Sequence, residues 1–173
     1  NGFATVAGAR VRPIQTTIDD NFALPGDEDL DRMCSERTRA IVFSNPGNPT
    51  GAVYSHSEIQ RLLRWAVRRD LFVIADEVYR RIWFEAPPTS ALEFPEAADN
   101  VVVIDSLSKT YSSCGLRLGF LLSKNATLME KVERLGQARL GAQPLAQHAG
   151  IAALSLGEDY YAGIRQTYKR RVD

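Results

Sequence analysis

Three short apolar runs, residues 40–44 (AIVFS), 71–75 (LFVIA) and 101–104 (VVVI), each stop abruptly at polar residues, and this constrains the fold more than any other feature. Runs of this length, rich in branched side chains, suit strands buried on both faces of a sheet. Periodicity alone does not separate 101–104 from a short buried helix; its β-branching favours a strand. Between the first two runs, Ser55 with Glu58 three positions later forms a capping box. Ile59, Leu62, Leu63, Ala66 and Val67 then recur at helical spacing, while Arg61, Arg64, Arg68 and Arg69 take the solvated faces. Strand, turn, helix and strand in this order make a βαβ unit, which requires parallel pairing. Open sheets of this kind place ligands beyond the carboxyl ends of their strands, so the residues after each run are the candidates for function.

Those residues are chemically specific. The first run leads into residues 45–51 (NPGNPTG), the second into Asp76, Glu77, Val78 and Tyr79, and the third into residues 105–119 (DSLSKTYSSCGLRLG). Taken singly, each has a plain reading: Asn45 as a turn former, Asp76 as a helix cap, Tyr79 as packing against the sheet, Lys109 as a solvated amine. Together they differ. Lys109 follows a strand end bearing Ser106 and Ser108, and Arg117 lies eight positions on, between Gly115 and Gly119, glycines that permit close backbone approach. A nucleophilic amine beside anion-binding groups suits an aldehyde that carries a phosphate. Tyr79, three positions after Asp76, reaches the same site if the chain coils after the strand.

The run Ser106, Leu107, Ser108, Lys109 with Gly115, Leu116, Arg117, Leu118 and Gly119 resembles the lysine motif of the fold-type I, class I/II aminotransferases, which use pyridoxal phosphate. The segments NPGNPTG and DEVY resemble that family's other signatures, in the right order, and the resemblance runs from Ala7 onward. It implies an α/β fold: a three-layer, mostly parallel mixed sheet with helices on both faces, the large domain of a pyridoxal phosphate-dependent transferase. It implies an aminotransferase that moves an amino group between an amino acid and a 2-oxo acid through a lysine-bound pyridoxal phosphate imine. Lys109, Asp76 and Tyr79 are then catalytic. Asn48, Asp76, Tyr79, Ser106, Ser108, Lys109 and Arg117 hold the cofactor: Asn48 and Tyr79 at the phenolic oxygen, Asp76 at the pyridine nitrogen, Ser106, Ser108 and Arg117 at the phosphate. A C–S lyase or synthase on the same scaffold, or an aminotransferase-like sensor domain of a transcription regulator, remain alternatives.

Family members are more than twice this length. Residues 1–157 are therefore expected to be the central part of the large domain and 158–173 the start of a helix leading towards a small domain, with the 173-residue chain inactive by itself. Asn1 is not a natural start. Balanced charge, 21 acids against 21 bases, gives no signal for nucleic acid, and no apolar run approaches the roughly 20 residues of a membrane span. The partners expected are small amino acids and 2-oxo acids, with a homodimer at full length. Cys34 and Cys114 are too few for a disulfide framework, which points to a reducing compartment and a cytoplasmic protein. Neither they nor His56 and His148 have metal-ligand spacing, and Cys114 reads as an inert packing residue.

Elsewhere, residues 7–14 (AGARVRPI) read as a turn and short strand, 27–34 as a helix with acids in its first turn, and 120–122 as an antiparallel strand. Helices are expected over 126–138, from Pro144, and over 158–173.

Overall fold

The computed structural model describes residues 2–172; Asn1 and Asp173, the expected end of the last helix, lie outside them. The chain divides into two compact units at Thr38. The first contains a short helix, α1 (Gly2–Val6), a 3-10 turn (Ile18–Asp20) closed by a Thr17–Asp20 reciprocal cap, and α2 (Asp27–Met33). Asp27, Glu28 and Asp29 occupy the first turn of α2, where the helix dipole favours acids, as expected. The strand expected within 7–14 does not form. Residues 5–13 are all exposed and none is in a strand: Val11 and Pro13 could share a face, but among the described residues no strand lies alongside to pair with them, and Pro13 lacks the N–H a ladder needs.

The second unit is built on four strands, β1 (Ala40–Ser44), β2 (Phe72–Asp76), β3 (Val101–Ser106) and β4 (Gly119–Leu122), lying in that order in one sheet. β1 and β2 are parallel, β2 and β3 are parallel, and β4 runs antiparallel to β3. The fold is α/β with a mixed sheet, as expected. Register aligns Ser44, Asp76, Ile104 and Leu121 across the carboxyl edge. On one face Val73, Ala75, Val101 and Val103 are fully buried, each Val contributing about 1.5–3 kcal/mol. The opposite face is more open, with Val42 66% and Ile104 38% exposed.

Five further helices join and flank the strands: α3 (His56–Arg68), α4 (Leu107–Thr110), α5 (Ala126–Ala138), α6 (Pro144–Leu154) and α7 (Glu158–Val172). The Ser55–Glu58 capping box opens α3, and Ile59, Leu62, Leu63 and Ala66 are buried as its spacing predicts. Val67 is instead 37% exposed and Trp65 takes its place inside. Gly136 lies within α5 and does not break it. Both strand ends shift by a residue or two from the sequence reading: β2 includes Asp76, and β3 runs on to Ser106. Polar residues terminate these strands by their contacts beyond the sheet, which hydropathy alone does not reveal.

Candidate active site

The carboxyl edge of the parallel strands carries three successive turns. After β1, Gly47 closes a tight loop, its N–H donating to the Ala52 carbonyl at 2.8 Å and its carbonyl accepting from Gly51 N–H at 2.9 Å. A Cβ at Gly47 would lie 2.7 Å from Thr50 Oγ1, and Gly51 has φ of 73°, so both glycines are needed for this bend. The loop leaves Asn48 exposed at its tip.

After β2, the chain coils. Arg80 N–H donates to the Glu77 carbonyl at 2.9 Å and Ile82 N–H to the Tyr79 carbonyl at 2.8 Å. Asp76 Oδ1 accepts from Val78 N–H at 3.2 Å, so the carboxylate does cap this turn and keeps its second oxygen for other use. The coil brings Tyr79 beside the first loop, and Asn48 Nδ2 donates to the Tyr79 hydroxyl at 3.3 Å.

After β3, residues 107–110 wind into the single-turn helix α4, where a polar loop was expected. Ser106 caps it: its hydroxyl accepts from Ser108 N–H at 3.0 Å and donates to Ser108 Oγ at 2.8 Å. Leu107 and Thr110 point inward, fully and nearly fully buried, which turns Lys109 outward. Its Nζ lies 5.7 Å from the centroid of the Tyr79 ring. The next turn brings Arg117 back. Leu107 N–H donates to the Leu118 carbonyl at 3.2 Å, and Gly119 pairs with Ser106. A Cβ at Gly119 would sit 3.0 Å from the Asp105 carbonyl, so this glycine serves close strand pairing, not the approach to a ligand expected of it, whereas Gly115 faces open space. Arg117 has φ of 51° and is exposed, with Nη1 donating to the Cys114 carbonyl at 3.0 Å. Cys114 is not the packing residue expected. It is exposed, its thiol donating to the Ser108 carbonyl at 3.1 Å.

The structure thus joins Asn48, Tyr79 and Lys109 by measured contacts, and sets Asp76, Ser106, Ser108 and Arg117 on the same edge or the turns leaving it. An aminotransferase class I and II family model matches residues 2–173. The chain belongs to this family.

An aspartate aminotransferase of Thermotoga maritima is 33% identical over 168 residues, 96% of this chain and 43% of that protein. An arginine–pyruvate transaminase of Pseudomonas aeruginosa is 30% identical, over 96% of this chain and 42% of its own length. Among solved structures, a double mutant of Thermus thermophilus aspartate aminotransferase superposes with a TM-score of 0.87 at 27% identity, over 96% of this chain and 44% of that one. This aminotransferase-family chain therefore spans less than half the length of the relatives it matches.

Sequence reasoning missed two residues close to the site. Asn45, read as a turn former, and Glu77, given no role beyond ending the strand, are each only 1% exposed and hydrogen-bonded within the fold. The signal available was a polar residue directly after a buried run, and it was ambiguous because the same residues form ordinary turns. Among the described residues no three His, Cys, Asp or Glu side chains cluster as metal ligands, and no helix is long and apolar enough to cross a membrane.

Proposed function

We propose that the protein is an aminotransferase that uses pyridoxal phosphate to move an amino group between an amino acid and a 2-oxo acid. The observation that carries this reading is the Lys109 amine over the Tyr79 ring, with Asn48 hydrogen-bonded to the Tyr79 hydroxyl, at the strand edge that bears Asp76. The donor set fits the cofactor. It offers one amine for an aldehyde, an amide and a phenol for a phenolic oxygen, a carboxylate for a pyridinium, and hydroxyls with a guanidinium for a phosphate.

When bound, pyridoxal phosphate supplies a carbonyl for amino groups and a ring that accepts electrons from the substrate's Cα. The chain's residues do the rest. Asp76, with one oxygen committed to Val78 N–H, would have the other for holding a proton on the pyridine nitrogen. Asn48 and Tyr79 orient the ring through its oxygen. Ser106, Ser108 and Arg117 anchor the phosphate, Arg117 as a charge-assisted fork. Lys109 Nζ would hold the cofactor's aldehyde carbon and would be the group placed to move a proton at the substrate's Cα.

The relatives' names support transamination and lend nothing to a lyase or a transcription regulator. We place the working protein in the cytoplasm as a homodimer. Support comes from two free thiols, Cys34 and Cys114, and from apolar Leu145, Ile151 and Leu154 left exposed on α6. The test, on the full-length protein, is amino transfer from labelled amino acids to 2-oxo acids with added pyridoxal phosphate. A new labelled amino acid, absent with Lys109→Ala, is the expected result; release of ammonia and a cleaved side chain instead would make the protein a lyase.

A further inference from the structure

Asn45 and Glu77 are buried polar side chains to which the proposed chemistry gives no task. Each stands one residue beyond a parallel strand: Asn45 N–H donates to the Asp76 carbonyl at 3.0 Å, and Glu77 N–H to the Ile104 carbonyl at 2.9 Å. Both side chains reach the same distant stretch, 89–91. Asn45 Nδ2 donates to the Thr89 carbonyl at 3.1 Å while its Oδ1 accepts from Tyr54 N–H at 3.0 Å. Glu77 Oε1 accepts from Ser90 Oγ at 3.1 Å and from Ala91 N–H at 2.8 Å.

The stretch they grip is itself fixed. Ser90 N–H donates to Glu93 Oε1 at 2.8 Å, Leu92 N–H to Ser90 Oγ at 3.3 Å, and Ala91 and Phe94 are buried. It acts as a strap across the carboxyl ends of β1 and β2. Asn45 begins the loop that ends at Asn48, and Glu77 begins the coil that ends at Tyr79. The Asn48–Tyr79 hydrogen bond therefore spans two segments whose heights are both set by the strap.

We infer that Asn45 and Glu77 are positioning residues, which by gripping residues 89–91 hold Asn48, Asp76 and Tyr79 in the geometry that receives the pyridine ring. This rests on the reading of the site given above. Glu77 acts through hydrogen bonds: Oε1 accepts from both Ser90 and Ala91 while Oε2 is buried without a partner, and burial pushes the carboxyl above its ordinary range although Ala91, Ser90 and Arg80 pull it down. Glutamine, which keeps an acceptor oxygen, should replace it; alanine, which strands the Ser90 hydroxyl and the Ala91 N–H, should not.

The experiment combines amide hydrogen exchange on cofactor-free protein with visible-absorbance titration of pyridoxal phosphate, for wild type, Glu77→Gln and Glu77→Ala. Glu77→Ala should speed exchange at Ala91 by about tenfold and weaken cofactor binding by a similar factor, while Glu77→Gln restores both. Should Glu77→Ala fail to fold, Ser90→Ala removes one strap donor and should shift both readouts the same way, by less. Loosened exchange with unchanged cofactor affinity overturns the inference, as does a Glu77→Gln protein as impaired as Glu77→Ala. Wild type that takes up no pyridoxal phosphate overturns the underlying reading as well. Wild type that attaches it at Lys109, indifferent to Glu77→Ala, overturns only this inference.

Discussion

The two halves of the candidate site are mounted differently. Asn48, Asp76 and Tyr79 stand on strand ends fixed by buried, long-range bonds, Asn45 to Thr89 and Glu77 to Ala91. Lys109 stands on a turn closed by its own neighbours: Ser108 N–H to Ser106 Oγ, Tyr111 N–H to the Leu107 carbonyl at 3.2 Å, Ser112 N–H to the Lys109 carbonyl at 3.3 Å. Two inward side chains, Leu107 and Thr110, hold this turn down. Its other polar links come from the returning strand and from α7: the Leu118 carbonyl accepts from Leu107 N–H at 3.2 Å and from Ser106 Oγ at 3.3 Å, and the Tyr111 and Tyr161 hydroxyls bond at 2.8 Å, where burial and that bond push Tyr111 up to about 12. Groups that must hold a ring still gain from stiff mounts, because orientation contributes to rate. An amine that must attach, detach and carry a proton needs a turn that gives.

The largest expected effect separates chemistry from folding on the lysine side. Lys109→Ala should abolish covalent cofactor attachment and all turnover while leaving the thermal midpoint unchanged, since an exposed side chain contributes within about 0.5 kcal/mol. A large drop in midpoint would mean that the amine is part of the turn's structure.

On the strap side, Asp76→Asn should keep the cap on Val78 N–H but lose a charge-assisted contact. Turnover is expected to fall by a few powers of ten, on the order of several kcal/mol. Near-normal kinetics would reduce Asp76 to a turn cap.

Stability mutants sharpen the difference in mounting. Asn45→Ala leaves the Tyr54 N–H and Thr89 carbonyl without their partner and should cost about 1–3 kcal/mol in urea unfolding. Ser106→Ala removes a local cap on an exposed turn and should cost about 1 kcal/mol. Equal losses would erase the distinction between distant and local support.

The smallest effect is a pH dependence. The Glu77 carboxyl is raised above 4.5 in the folded chain, first by burial. Its contribution to stability is therefore fully present below about pH 4.5 and is lost as pH rises through the folded value. Glu77→Gln lacks that loss, so it should gain on wild type as pH climbs from about 4 to neutrality, read as diverging urea midpoints. Asp105, also raised by burial, is present in both proteins and interacts with Glu77, so Asp105→Asn is the control background for both. Parallel curves would show that Glu77 is not desolvated in the folded state.

The sheet was legible in the sequence because burial on a parallel strand demands unbroken branched residues, as in 101–103, and because Ser55 and Glu58 mark a helix start by their own hydrogen bonds. The family resemblance singled out Asn48, Asp76, Tyr79 and Lys109, and the fold sets them at the carboxyl edge or on the turns leaving it. The strap was not legible. Thr89 and Asn45 are 44 positions apart, and nothing local in either marks the other as its partner. The segment 7–14, exposed as far as Pro13, misled for the opposite reason: Val11 and Ile14 suggest a strand, but a strand needs a neighbour, which sequence does not display.

The most direct test of the lysine's role is to treat the protein with pyridoxal phosphate, reduce it with borohydride and locate the adduct by peptide mass spectrometry. Four lysines compete: Lys109, Lys124, Lys131 and Lys169. A single modified residue, Lys109, is the expected result, with the adduct absent after Lys109→Ala. An adduct on Lys124, Lys131 or Lys169 with Lys109 untouched would contradict it.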